Sequence, residues 1–414
     1  MQDHIKDLAD FVVASPTSYH AAATIAERLR AAGFEECDER QNWDGVDGKR
    51  FVVRQGAVVA WVGPETLEAD AGARIVGTHN DSPAFKVKPG VLRSAGWQQI
   101  GVEIYGGPLL NSWLDRDLGI AGRIVTRDGS LHLVKTGAIC RIPQLAIHLD
   151  RGANDGLKLA KQANLQPILG LDPEATLMGH IAEIAGVDEK DIVGHDLYTF
   201  NTQQPEVIGI KGEFLASARL DNLACTHSAL VAMEKAEAGK HVAVFASFDH
   251  EEVGSATTTG AAGPLLEDIL MRIAAGYGLD DAATRAWIAR SSCISADTGH
   301  VVHPNYAAHH DPVNQPLPNS GVLLKLNSQQ RYASDAISTA IWADACDRAG
   351  VPWQYFVSNN DVPCGSTIGP ITATRLGITT VDVGIGLLSM HSAREMCGVD
   401  DPAMLSATCA AYWA

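Results

Sequence analysis

Residues 241–252 read HVAVFASFDHEE, an apolar run that ends in four polar residues. The alternation from His241 to Phe248 predicts a β-strand, with Glu251 and Glu252 just beyond its carboxyl end. Successive side chains that leave a strand point in different directions, so one carboxylate can bind a metal ion while the other works beside it. An isolated acidic pair is usually solvated surface, so its meaning depends on the rest of the chain.

Similar polar clusters follow other apolar or small-residue stretches. They are His79-Asn80-Asp81, Arg219-Leu220-Asp221-Asn222, Ser295-Ala296-Asp297 and Met390-His391-Ser392. The runs at 73–77 and 291–296 predict buried strands that deliver the first and third clusters, and a strand at 379–383 precedes the glycine-rich approach to the fourth. Because ligands gather at the carboxyl ends of strands in open α/β sheets, we predict an α/β fold with one site.

Other local patterns are typical of the same fold class. Residues 18–32 follow a helical pattern, with Ser18 as the predicted N-cap. Residues 221–237 predict a second helix. The apolar runs at 51–53 and 57–62 predict a pair of strands.

The length of the chain and a change in its residue pattern predict two domains. A chain of 414 residues is longer than one hydrophobic core usually serves. Between 90 and 212 the sequence has many short β-like runs with repeated glycine and proline, and no cluster typical of a catalytic site. We therefore predict a β-rich domain at 90–212 that interrupts a discontinuous catalytic domain formed by 1–89 and 213–414.

Composition and charge restrict the partners. With 46% hydrophobic and 20% charged residues, the chain has the composition of an ordinary soluble globular protein. The formal net charge of -17 disfavours nucleic acid and anionic membranes, because both would be repelled. We find neither a secretory signal nor an uninterrupted apolar window of about 18 residues, and so predict no membrane span.

The eight cysteines are scattered and form no Cys-x-x-Cys pair. We predict that they are reduced, mostly buried thiols of a cytoplasmic protein, not a disulfide scaffold or a zinc knuckle. The glycines at 384 and 386 lack the other features of a dinucleotide loop, and no Walker-type lysine motif is present. Nucleotide binding is therefore not predicted.

The polar clusters together contain the ligands of a two-metal hydrolase. Zinc favours His, Asp and Glu, and a catalytic ion keeps one position open for water or substrate. Two ions about 3.5–4 Å apart usually need a shared carboxylate to offset their repulsion. We predict that Asp221 is this bridge, that His79 and Asp297 complete one shell, and that Glu252 and His391 complete the other.

Two further carboxylates have predicted roles in catalysis. Asp81 follows His79 by two residues and is predicted to orient that imidazole. Glu251 is the predicted general base, which takes a proton from the attacking water and delivers it to the departing amine. Taken singly, Asp221 could be a helix N-cap and His391 a loop histidine. The combination favours a metal site, because all these residues lie at predicted strand or helix ends.

At these residues the chain resembles the M18 metallopeptidases, the aspartyl aminopeptidase family. The matching stretches follow the family's order over nearly the whole chain: GTHNDSP at 77–83, SARLDNL at 217–223, EEVGS at 251–255, SAD at 295–297 with HPNY at 303–306, KLNSQQRYAS at 325–334, DVPCGSTIGP at 361–370 and MHSARE at 390–395. The resemblance implies a zinc-peptidase-like α/β catalytic domain with a central mixed sheet, interrupted by a β-rich dimerisation domain. It also implies that dimers assemble into a tetrahedral dodecamer.

The resemblance further implies that His148, His300, Lys325 and Tyr332 contact the substrate, with His148 reaching the active site of a neighbouring subunit. Without it, His148 would be interpreted as a strand histidine and Lys325 as a surface lysine. Both substrate assignments therefore depend on the resemblance alone.

The predicted reaction is removal of the N-terminal residue from peptides with a free N-terminus. A preference for Asp or Glu would follow from pairing with Lys325, and His300 or Tyr332 would stabilise the oxyanion. The predicted cofactor is two Zn2+ per subunit, although Mn2+ and Co2+ also suit this mixed ligand set. Two alternatives stay open: another dinuclear amidohydrolase, of carboxypeptidase or N-deacylase type, and an oligomeric shell with incidental peptidase activity.

Overall fold

A computed structural model describes residues 2–414 of the chain. These residues form ten α-helices: α1 Gln2–Ala14, α2 Ser18–Ala31, α3 Lys161–Asn164, α4 Leu177–Ala185, α5 Leu220–Glu234, α6 Leu265–Gly276, α7 Asp281–Ala289, α8 Ala336–Ala349, α9 Ile368–Leu376 and α10 Asp401–Trp413. No helix within residues 2–414 has both the length and the apolar character that crossing a membrane requires.

The same residues form 22 strands. The first eleven are β1 Glu35–Glu36, β2 Gly48–Arg54, β3 Ala57–Gly63, β4 Ala73–His79, β5 Ala84–Val87, β6 Leu92–Ser94, β7 Trp97–Gln99, β8 Val102–Tyr105, β9 Leu118–Thr126, β10 Leu131–Lys135 and β11 Ile168–Gly170. The others are β12 Ile192–Asn201, β13 Glu206–Ile208, β14 Phe214–Ser217, β15 Val242–Phe248, β16 Ser292–Ala296, β17 Gly299–His300, β18 Val322–Leu326, β19 Trp353–Val357, β20 Thr379–Gly384, β21 Gly386–Leu388 and β22 Glu395–Gly398.

A mixed sheet of nine strands forms the centre of the fold, in the order β1-β2-β3-β15-β4-β16-β20-β18-β19. Its middle strands β15, β4, β16 and β20 are parallel, so their carboxyl ends lie at the same edge. Phe248 of β15 is in register with His79 of β4. This register brings the end of β4 next to the turn that carries Glu251 and Glu252.

Helices cover both faces of this sheet. One hydrophobic core lies between the sheet and α1, α2, α5, α8 and α10, and a second lies between the sheet and α6, α7 and α9. In β15, Ala243 and Phe245 belong to the first core, whereas Val244 and Ala246 belong to the second. Every residue of β15 is buried, which explains why this strand is almost uninterruptedly apolar.

A separate antiparallel sheet, β10-β9-β12-β5-β8, is called the five-stranded sheet below and has a hydrophobic core of its own. It is distinct from a further sheet of five strands, β13-β14-β22-β21-β17. Its strand β5 begins at Ala84, before the predicted boundary at 90. At the other boundary, β13 pairs with β14 across residue 212. The sheet therefore draws its strands from 84–201, while the division into two domains stays a prediction.

The local predictions agree with the structure apart from the details of two helices. The strands predicted at 73–77 and 291–296 are present as β4 and β16. Ser18 is not an N-cap: it is the first residue of α2, and Thr17 before it has the extended backbone of the cap position. Asp221 does not cap α5 either, because it lies within the first turn with a non-helical backbone.

The cysteines are as predicted. All eight are free, and all but Cys364 are buried. Burial raises the pKa of Cys225 and Cys140 to about 12, so these thiols stay protonated at neutral pH.

Candidate metal centre

The five predicted metal ligands meet at the carboxyl edge of the central sheet. Nε2 of His79 lies 3.5 Å from Oδ1 of Asp221 and 3.4 Å from Oδ1 of Asp297. Nε2 of His391 lies 3.3 Å from Oδ2 of Asp221 and 3.4 Å from Oε2 of Glu252. The two oxygens of Asp221 therefore face two different imidazoles, which is the arrangement that a shared carboxylate requires.

The spacing and the hydrogen bonding both fit metal ions. Ligand atoms about 2.0–2.1 Å from a tetrahedral zinc lie about 3.3–3.4 Å apart, close to the separations in this cluster. Oδ1 of Asp221 and Oε1 of Glu252 are buried and have no hydrogen-bond partner within residues 2–414. Because a buried carboxylate oxygen without a donor is costly, a cation is the partner that would satisfy both.

The buried carboxylate of Glu395 accepts hydrogen bonds from main-chain N–H groups on two sides of the centre. The N–H of Asp221 donates to Oε2 of Glu395 at 3.0 Å, and the N–H of His391 donates to Oε1 at 2.7 Å. Arg219 has a left-handed backbone (φ 56), and the peptide bond between Asp221 and Asn222 is cis. Sequence reasoning assigned no role to Glu395, although it ends the stretch 390–395 that carries the family resemblance.

Asp81 connects the first imidazole to the acidic turn. The main-chain carbonyl of Asp81 accepts a hydrogen bond from Nδ1 of His79 at 3.2 Å, and Oδ1 of its carboxylate lies 3.4 Å from the same nitrogen. The same carboxylate accepts hydrogen bonds from the N–H groups of Glu251 at 3.0 Å and Glu252 at 3.1 Å, and from the hydroxyl of Tyr105 at 2.6 Å. These three contacts join residues far apart in the chain, so the sequence alone did not indicate them.

The protonation of the imidazoles reflects the negative charge around them. Burial by itself would lower the pKa of His79, but the neighbouring carboxylates of Asp221, Asp297 and Asp81 raise it well above its usual range. Burial is likewise outweighed at His391, where the hydrogen bond to Asp221 raises the pKa to about 9. Buried imidazoles that prefer the charged form indicate a site suited to cations.

The two adjacent glutamates differ in their surroundings. Oε2 of Glu251 lies 3.9 Å from Nε2 of His79, and its side chain is 18% exposed. Burial raises the pKa of Glu251 to about 7, and it also raises the pKa of Glu252 well above its usual range. Glu251, Glu252 and His79 form a third possible metal set, in addition to the two that share Asp221.

Lys325 and Tyr332 lie beside this centre. Lys325 is 1% exposed, so its interpretation as a surface lysine is wrong. Its Nζ donates to the carbonyl of Thr298 at 2.9 Å and lies 3.9 Å from Oδ2 of Asp297. The same nitrogen is 5.2 Å from the ring centre of Tyr332, which is also buried. The lysine sits in β18, whose other residues are apolar, and this explains how its stem is buried.

The two predicted histidines are placed differently. His300, in β17, is exposed, and its ring lies 5.9 Å from that of Phe356, which also contacts Tyr332. His148 lies in an exposed turn at 147–149, so its interpretation as a strand histidine is wrong. No hydrogen bond, ion pair or ring contact within residues 2–414 joins His148 to the metal centre.

Comparison with known families agrees with this geometry. Residues 11–413 match the family described as Aminopeptidase I zinc metalloprotease (M18). The chain belongs to the M18 family. As a member of that family it is a metalloaminopeptidase. The "Probable M18 family aminopeptidase 2" of Streptomyces avermitilis is 50% identical over 420 residues, which cover 99% of this chain and 97% of the relative.

Several solved structures have the same fold. A chain in the cryo-EM structure of the Ape4 and Nbr1 complex has a TM-score of 0.96 and 33% identity, and the match covers 100% of this chain and 85% of that one. A chain of the S. cerevisiae mApe1 dodecamer has a TM-score of 0.86 and 29% identity, with 99% and 96% covered. The predicted α/β architecture with a central mixed sheet is therefore confirmed.

Proposed function

We propose that this M18 aminopeptidase is a dinuclear enzyme that removes Asp or Glu preferentially from the free N-terminus of peptides. The observation that supports it most directly is Asp221, whose two oxygens lie 3.5 and 3.3 Å from two different imidazoles. The proposed cofactor is two Zn2+ per subunit, and Mn2+ or Co2+ would suit the same mixed ligands.

The residues proposed to hold one ion are His79, Asp221 and Asp297, and those proposed for the other are Asp221, Glu252 and His391. When bound, the ions supply Lewis-acid chemistry, which activates water near neutral pH and polarises the scissile carbonyl. Each set offers three protein ligands, so each leaves room for water or substrate.

The protein's own groups move the protons. Glu251 is the proposed general base, because it lies beside His79 but outside both sets that contain Asp221. Its carboxylate takes a proton from the attacking water and gives it to the departing amine. The main-chain carbonyl of Asp81 accepts a hydrogen bond from Nδ1 of His79, which leaves Nε2 free to bind a metal. His300 or Tyr332 is the proposed hydrogen-bond donor to the oxyanion.

The proposed preference for acidic residues rests on the burial of Lys325. A buried ammonium group is costly unless it is paired. Its one ion pair within 4.0 Å in the described part of the chain is with Asp297, at the long distance of 3.9 Å. An Asp or Glu side chain of the substrate would provide a closer partner, whereas an apolar side chain would not.

We also propose that the enzyme acts as an assembly in the cytoplasm. Among the compared structures, the one of S. cerevisiae mApe1 is described as a dodecamer. Near His148, the side chains of Leu145 and Leu149 are 61% and 74% exposed, which is typical of a surface covered by a partner. The proposal is a tetrahedral dodecamer of dimers joined through 90–212, in which His148 completes a neighbouring active site.

A metal and substrate panel tests this function. Protein depleted of metal with a chelator should be inactive, and Zn2+, Mn2+ or Co2+ should restore hydrolysis of Asp- and Glu-p-nitroanilide ahead of Leu- and Lys-p-nitroanilide. Metal analysis should give two ions per subunit. Equal cleavage of free and N-acetylated dipeptides would contradict the proposal and favour an N-deacylase.

A further inference from the structure

The segment Tyr105-Gly106-Gly107 leaves the five-stranded sheet at the end of β8 and runs along the metal centre. It belongs to the region 90–212, in which the sequence showed no catalytic cluster. Tyr105 and Gly107 nevertheless make hydrogen bonds at the metal centre, and Gly106 lies where an added Cβ would press on Glu252.

Tyr105 acts on the His79 side of the centre. Its hydroxyl donates to Oδ2 of Asp81 at 2.6 Å. The other oxygen of Asp81 lies 3.4 Å from Nδ1 of His79, and the carboxylate also accepts the N–H groups of Glu251 and Glu252. Nδ1 of His79 makes its hydrogen bond, at 3.2 Å, to the main-chain carbonyl of Asp81 itself. One phenol therefore restrains the residue that holds both the first imidazole, through its carbonyl, and the acidic turn, through its carboxylate.

Gly106 and Gly107 act on the side of the metal centre that contains Glu252 and His391. Gly106 has φ +70, and a Cβ added there would lie 3.1 Å from Cβ of Glu252. The carbonyl of Gly107 accepts a hydrogen bond from Nδ1 of His391 at 2.9 Å, and the N–H of Leu109 donates to the carbonyl of His391 at 2.8 Å. With Nδ1 protonated, Nε2 of His391 has the lone pair that a metal ligand needs.

We infer that Tyr105, Gly106 and Gly107 are positioning residues of the metal centre, through which the five-stranded sheet orients the ligands of both ions. The inference rests on the proposed two-ion centre. Removing a group that orients a metal ligand typically lowers metal affinity about 10–100-fold. The segment touches no reacting atom, so its effect should appear in metal affinity and kcat, with KM little changed.

Tyr105→Phe is the primary test, with Tyr277→Phe as its matched control. Tyr277 also donates one hydroxyl hydrogen bond, at 2.7 Å, but to the carbonyl of Pro64. Zinc affinity is measured by chelator competition on the full-length protein, together with kcat, KM and the Tm of the metal-depleted form. Tyr105→Phe should weaken binding of at least one ion about tenfold or more, and added zinc should partly restore activity, while Tyr277→Phe should match the parent.

Gly106→Ala provides an independent test, with Gly48→Ala as its control. Gly48 has nearly the same φ, +72, but nothing lies within 4 Å of an added Cβ. Backbone strain should therefore be similar in both variants, and only Gly106→Ala should press on Glu252 and weaken zinc binding. If Tyr105→Phe does not fold, the zinc affinities of Gly106→Ala and Gly48→Ala still test the positioning role of the segment.

The outcomes separate this inference from the proposed function. A parent protein that binds fewer than two ions contradicts the dinuclear centre. A parent that binds two ions, with a Tyr105→Phe variant of unchanged zinc affinity and lowered Tm, shows that Tyr105 is merely structural and overturns the positioning role. Equal zinc affinities of Gly106→Ala and Gly48→Ala would overturn it for the glycine.

Discussion

The nine-stranded and five-stranded sheets meet at the metal centre but contribute different chemistry. From the carboxyl edge of the first come charged and imidazole side chains, among them His79, Glu252 and Asp297. From the second come a phenol hydroxyl at Tyr105 and a backbone carbonyl at Gly107. Parallel strands end at one edge and crowd several side chains there, whereas antiparallel neighbours end at opposite edges. Ligands and the groups that orient them can therefore come from separate sheets.

The largest effect is expected at the edge of the nine-stranded sheet. Glu251→Gln keeps the shape of the side chain but removes its basicity, so kcat should fall about 1,000-fold. KM and the two-ion content should stay close to those of the parent, as steady-state kinetics and metal analysis can establish. Persisting turnover would refute the role as base, and loss of one ion would assign Glu251 as a ligand instead.

A smaller effect is expected for Glu395, which orients metal ligands but lies outside the five-stranded sheet. Glu395→Gln weakens the acceptor shared by the N–H groups of Asp221 and His391, so zinc affinity and kcat should fall about 10–100-fold. Asp401→Asn is the control, because Asp401 is also buried and accepts the N–H of Asn319 at 3.0 Å. Equal loss of zinc affinity in both variants would show a general effect of buried carboxylates.

Lys325→Met should change substrate choice at the metal-binding edge of the nine-stranded sheet. Losing a charge-assisted hydrogen bond should lower kcat/KM for Asp-p-nitroanilide relative to Leu-p-nitroanilide about tenfold or more. Zinc affinity is measured alongside, since Lys325 lies near Asp297. An unchanged ratio of the two substrates would exclude Lys325 as the source of an acidic preference.

The smallest catalytic effect is expected for an ion-pair cluster within the five-stranded sheet. Asp196 accepts hydrogen bonds from Lys86 at 2.8 Å and Arg123 at 2.9 Å. Asp196→Asn should leave kcat/KM within about twofold and cost at most about 1 kcal/mol of unfolding free energy. A large loss of kcat/KM at unchanged zinc affinity would mean that this sheet affects the chemistry by some route other than Tyr105 to Gly107.

The contribution of Asp196 should depend on pH in one direction. Burial alone would raise the pKa of Asp196, but the hydrogen bonds from Lys86 and Arg123 lower it below its usual value. A carboxylate with a depressed folded-state pKa stabilises the protein above the unfolded value, about 3.9, and loses that effect as the pH falls below it. The Tm difference between parent and variant should therefore shrink in acid, and a growing difference would contradict the ion-pair interpretation.

Much of the fold was predictable because its signals are local. Strand β15 was predicted at the residues where it occurs, since a strand buried on both faces must be apolar throughout. The N-cap of α2 was misplaced by one residue, because Thr17 and Ser18 are both good capping residues and only the backbone distinguishes them. The residue pattern of 90–212 predicted short strands there, but the strand at Ala84–Val87 lies before that range and was not predicted, since four residues carry little periodicity.

Local sequence patterns were enough to place the strands that carry the site, to identify the types of residue at their carboxyl ends and to show the resemblance to the M18 family. The folded structure was needed to show that Asp221 faces His79 with one oxygen and His391 with the other. It also decided that Lys325 is buried and that Tyr105 supports Asp81. The two kinds of information differ in sequence separation. Strand and helix patterns depend on neighbouring residues, whereas the orientation of a ligand depends on hydrogen bonds between segments far apart in the chain.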